Sequence, residues 1–229
     1  EIKKGKLKIT IALPNKKTFD FCYIRSLKDR ILTQEEKADI IKKVTILLKE
    51  IPSSMDVVKK GGNEHKRYKY LAEHMVNKAI EKDALIVSED GNGIAILFKT
   101  SKKDENFWKN AWSELGLVFN VTGIKNAYKI LKTQNYIKKQ RPQEGEYLYC
   151  WFWGILKESR GPGTQVGVQM KNEFYRRAKL YNLPLYAETR MRKNAIVYQK
   201  FGFQLFNKWD HPSGDTMYFL RYIPEEKGE

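Results

Sequence analysis

The stretch from Tyr147 to Leu156, YLYCWFWGIL, constrains the fold more than any other part of the chain. Every residue in it except Gly154 is apolar or aromatic, so a pleated strand built from it offers water no polar face. It is too short, and too interrupted by Gly154, to cross a bilayer. It therefore reads as a buried strand, and it ends abruptly: Arg160-Gly161-Pro162-Gly163-Thr164-Gln165 is a turn, after which a helix carries Met170, Phe174 and Ala178. Backbone N–H groups converging at a helix N-terminus are unpaired donors reinforced by the helix dipole, which makes such a turn a place for an anion. The glycine spacing is not that of a dinucleotide-binding turn, and no P-loop pattern is present. On these residues alone, an ordinary turn and an anion cradle both fit.

Composition limits the partner. With 43 Lys and Arg against 27 Asp and Glu, the 229-residue chain carries a formal charge of +16, which favours nucleic acid, an anionic surface or a polyphosphorylated cofactor. The lysines are spread along the chain rather than gathered in one tail. Cys22 and Cys150 each sit in an apolar, strand-like segment and read as buried thiols, and the three histidines share no ligand spacing with them, so neither a disulfide nor a metal site is expected. No signal-peptide pattern opens the chain. Glu1 in place of a starting Met sets the expectation of a trimmed chain, and a cytoplasmic protein without a membrane span is expected.

Along the chain, residues 6–25 alternate around Pro14-Asn15 as a hairpin. Thr33-Gln34-Glu35-Glu36 has the form of a capping box opening a helix with Ile40, Ile41, Val44, Leu47 and Leu48 on one face. A second helix comes after Gly61-Gly62, with Tyr68, Leu71, Ala72, Met75, Val76 and Ala79 on its face. ALIVSEDGNGIAILFKT, from Ala84 to Thr100, predicts a hairpin turning at Asp90-Gly91-Asn92-Gly93. Phe107, Trp108, Ala111, Trp112 and Leu115 then keep helical register, and Thr122 can cap a helix bearing Ile124, Ala127, Tyr128 and Leu131. After the buried strand and its helix come a strand, LPLYAET, a short helix ending near Phe201, and a hairpin around DHPSGD. The prediction is α+β, with a mixed, mostly antiparallel sheet and helices on its faces.

From about Glu146 to Tyr222 this order resembles the GCN5-related N-acetyltransferase (GNAT) superfamily. Its signature is a strand, a pyrophosphate loop of the Arg/Gln-x-x-Gly-x-Gly/Ala kind, a helix, a strand, and a helix with Tyr shortly before Gly-Phe. Arg160 to Gln165 match the loop, and Tyr198, Gly202 and Phe203 match the last element. Gln165 stands where Gly or Ala is usual, Pro162 has no N–H to donate, and Met191 stands where the family has Asn, with Asn194 as the nearest substitute. The resemblance implies one domain over 1–229, with an N-terminal hairpin extension at 1–30, a helical insertion at 103–140 before the cofactor strand, and a cofactor-binding half at 146–222.

The resemblance further implies an acetyl-CoA-dependent N-acetyltransferase that passes an acyl group to a primary amine by direct attack in a ternary complex. Trp153, Gly154, Ile155, Arg160, Gly161, Pro162, Gly163, Thr164, Gln165, Asn194 and Tyr198 are its implied cofactor contacts. Gly154 suits either a β-bulge that frees backbone groups or close packing among large rings. Tyr198 is the implied general acid, because a phenol keeps its proton at neutral pH. Glu188 is the implied general base, with a surface pair to Arg190 or Arg192 as the alternative role. Asp210 and His211, in the last turn, read as solvated residues. Two other functions stay open: a catalytically silent acyl-CoA-binding protein, and a basic nucleic-acid-binding module, the less favoured partner. A homodimer is left open.

Overall fold

A computed structural model describes residues 32–101, 121–122, 124–161 and 163–225. The hairpin expected at 6–25, Cys22 and the helical register from Phe107 to Leu115 lie outside these residues.

Helices α1 (Gln34–Leu48), α2 (Pro52–Val57) and α3 (Glu64–Glu81) precede strands β1 (Leu85–Val87) and β2 (Gly93–Ser101). Next come helix α4 (Ile124–Lys139), strand β3 (Glu146–Ile155), helix α5 (Val166–Tyr181), strand β4 (Leu185–Thr189), helix α6 (Arg192–Lys200) and strands β5 (Gln204–Asp210) and β6 (Thr216–Tyr222). The expected capping box opens α1: the Glu36 N–H donates to Thr33 Oγ1 at 3.1 Å and the Thr33 N–H to Glu36 Oε2 at 2.9 Å. Helix α2 is not expected from the sequence, being too short for a hydrophobic period to show.

The strands form one sheet in the order β1-β2-β3-β4-β6-β5. Only β3 and β4 run parallel. One face of the sheet packs under α1 and α3, where Val44, Leu47, Leu71 and Val76 meet Ile94, Ile96 and Tyr149. The other face packs under α5 and α6, where Met170, Phe174 and Ala195 meet Leu97, Leu148 and Leu220. Helix α4 supplies Ile137 and Tyr136 to a third cluster with Met217, Phe219 and Trp209. The fold class is as the sequence predicts.

The glycines of the β1–β2 turn divide their duties. Gly91 takes the positive φ, at 70°, as a tight turn requires. Gly93 is there for space, since a Cβ on it would lie 2.6 Å from Val166 Cγ1 at the start of α5.

Among the described residues, no helix is long and apolar enough to cross a membrane.

Candidate active site

The site begins where two strands part. Pairing between β3 and β4 runs from Leu148↔Leu185 to Cys150↔Ala187 and stops. Beyond it β3 continues to Ile155 along β2 alone, and β4 turns its remaining residues to β6. Beyond Cys150 the edge of β3 thus faces β4 without a ladder, so its backbone groups there take partners other than β4.

A β-bulge lies at this point, though not at Gly154. Ile96 pairs with Phe152 and Leu97 with Cys150, so Trp151 is the extra residue, while Gly154 stays in register with Ile94. The bulge shifts the pleat by one residue. Trp151 and Phe152 both join the α1–α3 face, and Trp153 passes to the α5–α6 face. Gly154 takes the packing alternative: a Cβ on it would sit 2.8 Å from Leu47 Cδ1.

Through the parting runs a cavity of about 820 Å³, lined from both faces of the sheet. Leu48, Leu71 and Met75 line it from one face, and Trp153, Asn194 and Tyr198 from the other; Glu188 stands in its wall. Of the expected site residues the structure brings Trp153, Glu188, Asn194 and Tyr198 together. Among the described residues, Gly154, Ile155, Arg160, Gly161, Gly163, Thr164 and Gln165 are not part of the lining. Pro162 lies outside the described residues.

Glu188 is not a surface carboxylate. Its Oε1 accepts from the Tyr149 hydroxyl at 2.5 Å and lies 3.5 Å from Arg141 Nη2. The Arg141 side chain is 6% exposed and its guanidinium lies 3.5 Å over the Tyr149 ring, an arrangement that suits a delocalised planar cation. Burial raises the Glu188 pKa, against the opposing pull of Arg141 and the Tyr149 hydroxyl. Arg190, expected as a surface partner of Glu188, instead joins Asp215 Oδ2 at 2.7 Å and Asp56.

Tyr198 is held by two devices. Helix α6 closes with the Phe203 N–H donating to the Tyr198 carbonyl at 3.0 Å and the Gly202 N–H to the Gln199 carbonyl at 2.9 Å. Gly202 sits at φ 93°, so this is a Schellman closure, and it explains why Gly-Phe comes after the Tyr. The Tyr198 ring also stacks on Trp153, centroids 5.2 Å apart and planes 7° from parallel. Burial pushes its pKa well above the ordinary phenol value, with Cys150 and Glu188 adding to the effect.

The turn after β3 is tied down at Arg160. Its Nε donates to the Ile155 carbonyl at 2.6 Å and its Nη2 lies 2.7 Å from Glu50 Oε2. Gly161 and Gly163 take φ of 123° and 102°, and a Cβ on either would meet nothing within 4 Å. Gln165 occupies the N-cap of α5 without a side-chain hydrogen bond, and the first turn holds no acidic residue. A backbone shaped by glycine, open above, and leading into a helix start free of side-chain capping fits a phosphate group.

His211 corrects the solvated reading; Asp210 keeps it. The imidazole is buried, with Nδ1 accepting from the Ser213 N–H at 3.2 Å and Nε2 3.3 Å from Thr133 Oγ1. Burial, with Arg190 close by, lowers its pKa. It joins α4 to the β5–β6 turn. Arg141, Tyr149 and Asp56 are site residues that the sequence does not announce: Arg141 is one arginine in the RPQEGE segment, with no spacing relating it to Glu188.

No protein-family profile matches the sequence, and no curated protein does. Solved structures do match in shape. A protein described as histone acetyltransferase HPA2 and related acetyltransferase, from Corynebacterium glutamicum, superposes with a TM-score of 0.59 at 15% identity, covering 86% of this chain and 96% of that one. An agmatine N-acetyltransferase does so at 0.57 and 13% identity, covering 83% and 96%. The fold is that of the GCN5-related N-acetyltransferases. The C-terminal condensation domain of Ebony shares the GNAT shape at a TM-score of 0.59 and 13% identity, covering 83% and 95%, so the shape alone does not fix the reaction. Among the described residues no group of His, Cys, Asp and Glu is placed to hold a metal.

Proposed function

We propose that the protein is an acetyl-CoA-dependent N-acyltransferase that acylates a primary amine by direct attack in a ternary complex. The observation that carries the reading is the parting of β3 and β4 at Cys150 and Ala187 over a cavity that holds Glu188 and Tyr198. The neighbours' activities and the open glycine turn before α5 support it.

Acetyl-CoA supplies a thioester-activated acyl group. The edge of β3 from Trp153 to Ile155, which has no ladder to β4, offers backbone groups other than the Ile155 carbonyl held by Arg160 to a pantetheine arm, and the Arg160–Gln165 turn with the start of α5 offers N–H donors to phosphate. Residues 146–222 act as the cofactor-binding half of one domain. Glu188 takes the proton of the acceptor amine. A carboxyl raised by burial is a stronger base than one in water, and Tyr149 and Arg141 keep it aimed. Tyr198 Oη keeps its proton across the neutral range and donates it to the departing sulfur.

The test is an initial-rate study of free-thiol release with acetyl-CoA and a panel of primary amines. Lines that intersect in double-reciprocal plots, with rates that depend on both substrates, are expected. Parallel lines would replace direct attack by an acyl-enzyme route. Saturable acetyl-CoA binding with no thiol release from any amine would make the protein an acyl-CoA-binding protein without catalysis.

A further inference from the structure

Taking the acetyl-CoA reading as its basis, we infer that the β1–β2 turn positions the phosphate turn, with Asp90, Asn92 and Ser159 as the positioning residues. In the sequence Asp90-Gly91-Asn92-Gly93 marks only a hairpin turn. In the fold it lies against both ends of the Arg160–Gln165 segment. At the near end the Asn92 side-chain amide donates to Ser159 Oγ at 2.9 Å, and Ser159 Oγ donates to Asp90 Oδ2 at 3.2 Å. Three residues earlier, the Leu156 N–H donates to the Asn92 carbonyl at 2.9 Å. At the far end Gly93 leaves the space of its missing Cβ to Val166, the first residue of α5, whose Cγ1 would lie 2.6 Å from it.

This clamp is braced from within. Asp90 Oδ1 accepts from Ser88 Oγ at 2.5 Å and from the Asn92 N–H at 3.0 Å, and the buried Ser88 Oγ accepts from the Gly93 N–H at 2.7 Å. Burial works to raise the Asp90 pKa, and the hydrogen bonds from Ser88, Asn92 and Ser159 together lower it by more, so the carboxylate is the form that holds the ring closed. The phosphate turn needs such an anchor because it has little of its own. Gly161 and Gly163 take positive φ with nothing within 4 Å of a Cβ, and inside the turn the Thr164 N–H and Oγ1 reach the Gly161 carbonyl at 3.3 and 3.1 Å. Glycine loses more conformational freedom on ordering than any other residue. Fixing both ends of the segment before the ligand arrives removes part of that cost from binding.

Ser159→Ala tests this, because it cuts both side-chain ties to Ser159 and leaves the bonds inside the β1–β2 turn in place. Ser159→Thr keeps the hydroxyl and serves as the rescue. Two quantities are read in the full chain: the rate of tryptic cleavage after Arg160, followed by mass spectrometry, which reports the opened turn, and the acetyl-CoA Kd by calorimetric titration. In Ser159→Ala cleavage is expected to quicken about tenfold and Kd to rise about tenfold, with Ser159→Thr recovering most of both. A merely structural role would lower the unfolding midpoint and leave Kd where it was. Wild-type affinity in Ser159→Ala overturns the inference while the acetyl-CoA reading stands. Equal losses in Ser159→Ala and Ser159→Thr also overturn it, since the hydroxyl would then not be the tie. A wild-type chain that binds no acetyl-CoA overturns that reading and the inference with it.

Discussion

The two sides of the cavity are built in different ways. The side facing α5 and α6 is set by consecutive chain, a strand, a glycine turn, a helix, a strand, and a helix closed by Gly202, with the turn's described residues outside the lining. The side facing α1, α3 and α4 is made of single side chains brought from far apart, such as Leu48, Met75 and Ile137. The first presents backbone, whose conformation is coded locally by glycine and by capping. The second presents side chains, whose meeting depends on the whole fold. The contrast teaches that a chain can show in its sequence a turn suited to an anion while concealing the side chains that line the opposite wall.

The largest expected effect comes at Glu188, where the two sides meet. Glu188→Gln removes the proposed base and should lower kcat/KM by about 10²–10⁴-fold, with acetyl-CoA affinity unchanged in titration. In the wild type, activity should rise with pH through the raised Glu188 pKa, so the acid limb lies above the ordinary value of 4.5. The native chain holds this proton more tightly than the unfolded one, so the same group's contribution to stability is present below 4.5 and is lost as pH climbs through the raised value. Gln at 188 should abolish both slopes, read by rate profiles and by denaturant midpoints against pH.

Arg141→Met separates positioning from chemistry. It leaves Glu188 buried without its cation and should cost about 3–5 kcal/mol of stability by denaturant unfolding. Because Arg141 holds the Glu188 pKa down, the acid limb should move to still higher pH. A purely structural role would lower stability and leave the limb where it was.

Two glycine substitutions then probe each side alone. Gly154→Val drives a side chain into Leu47 and should cost about 1–3 kcal/mol of stability, seen as a lower thermal midpoint. Gly163→Ala forces a Cβ onto a residue at φ 102° with open space around it. The strain is about 1–2 kcal/mol, and acetyl-CoA affinity should fall by about tenfold, with amine binding unchanged. If Gly163→Ala weakened the amine instead, the division between the two sides would be wrong.

Much of the fold was legible because its signals are short in sequence. The Thr33–Glu36 box, the Gly91 turn and the Tyr198–Phe203 closure each sit within six residues, and each has the structure those residues call for. The bulge at Trp151 was not legible, because it depends on how β2 pairs across from it. Its consequence, Trp153 leaving the face of Tyr149 to stack on Tyr198, therefore could not be read from alternation. Arg141, Arg190 and His211 were hidden for a related reason: their partners Glu188, Asp56 and Thr133 come from elements distant in the chain.

The central claim, a cofactor site for acetyl-CoA, is tested most directly by calorimetric titration of the protein with acetyl-CoA at two salt concentrations, with tripolyphosphate as the control for charge. A chain carrying +16 attracts any polyanion, and that attraction weakens with salt. The predicted result is saturable one-to-one binding of acetyl-CoA that persists at the higher salt and that tripolyphosphate does not reproduce. Equal binding of the two, lost together as salt rises, would contradict it.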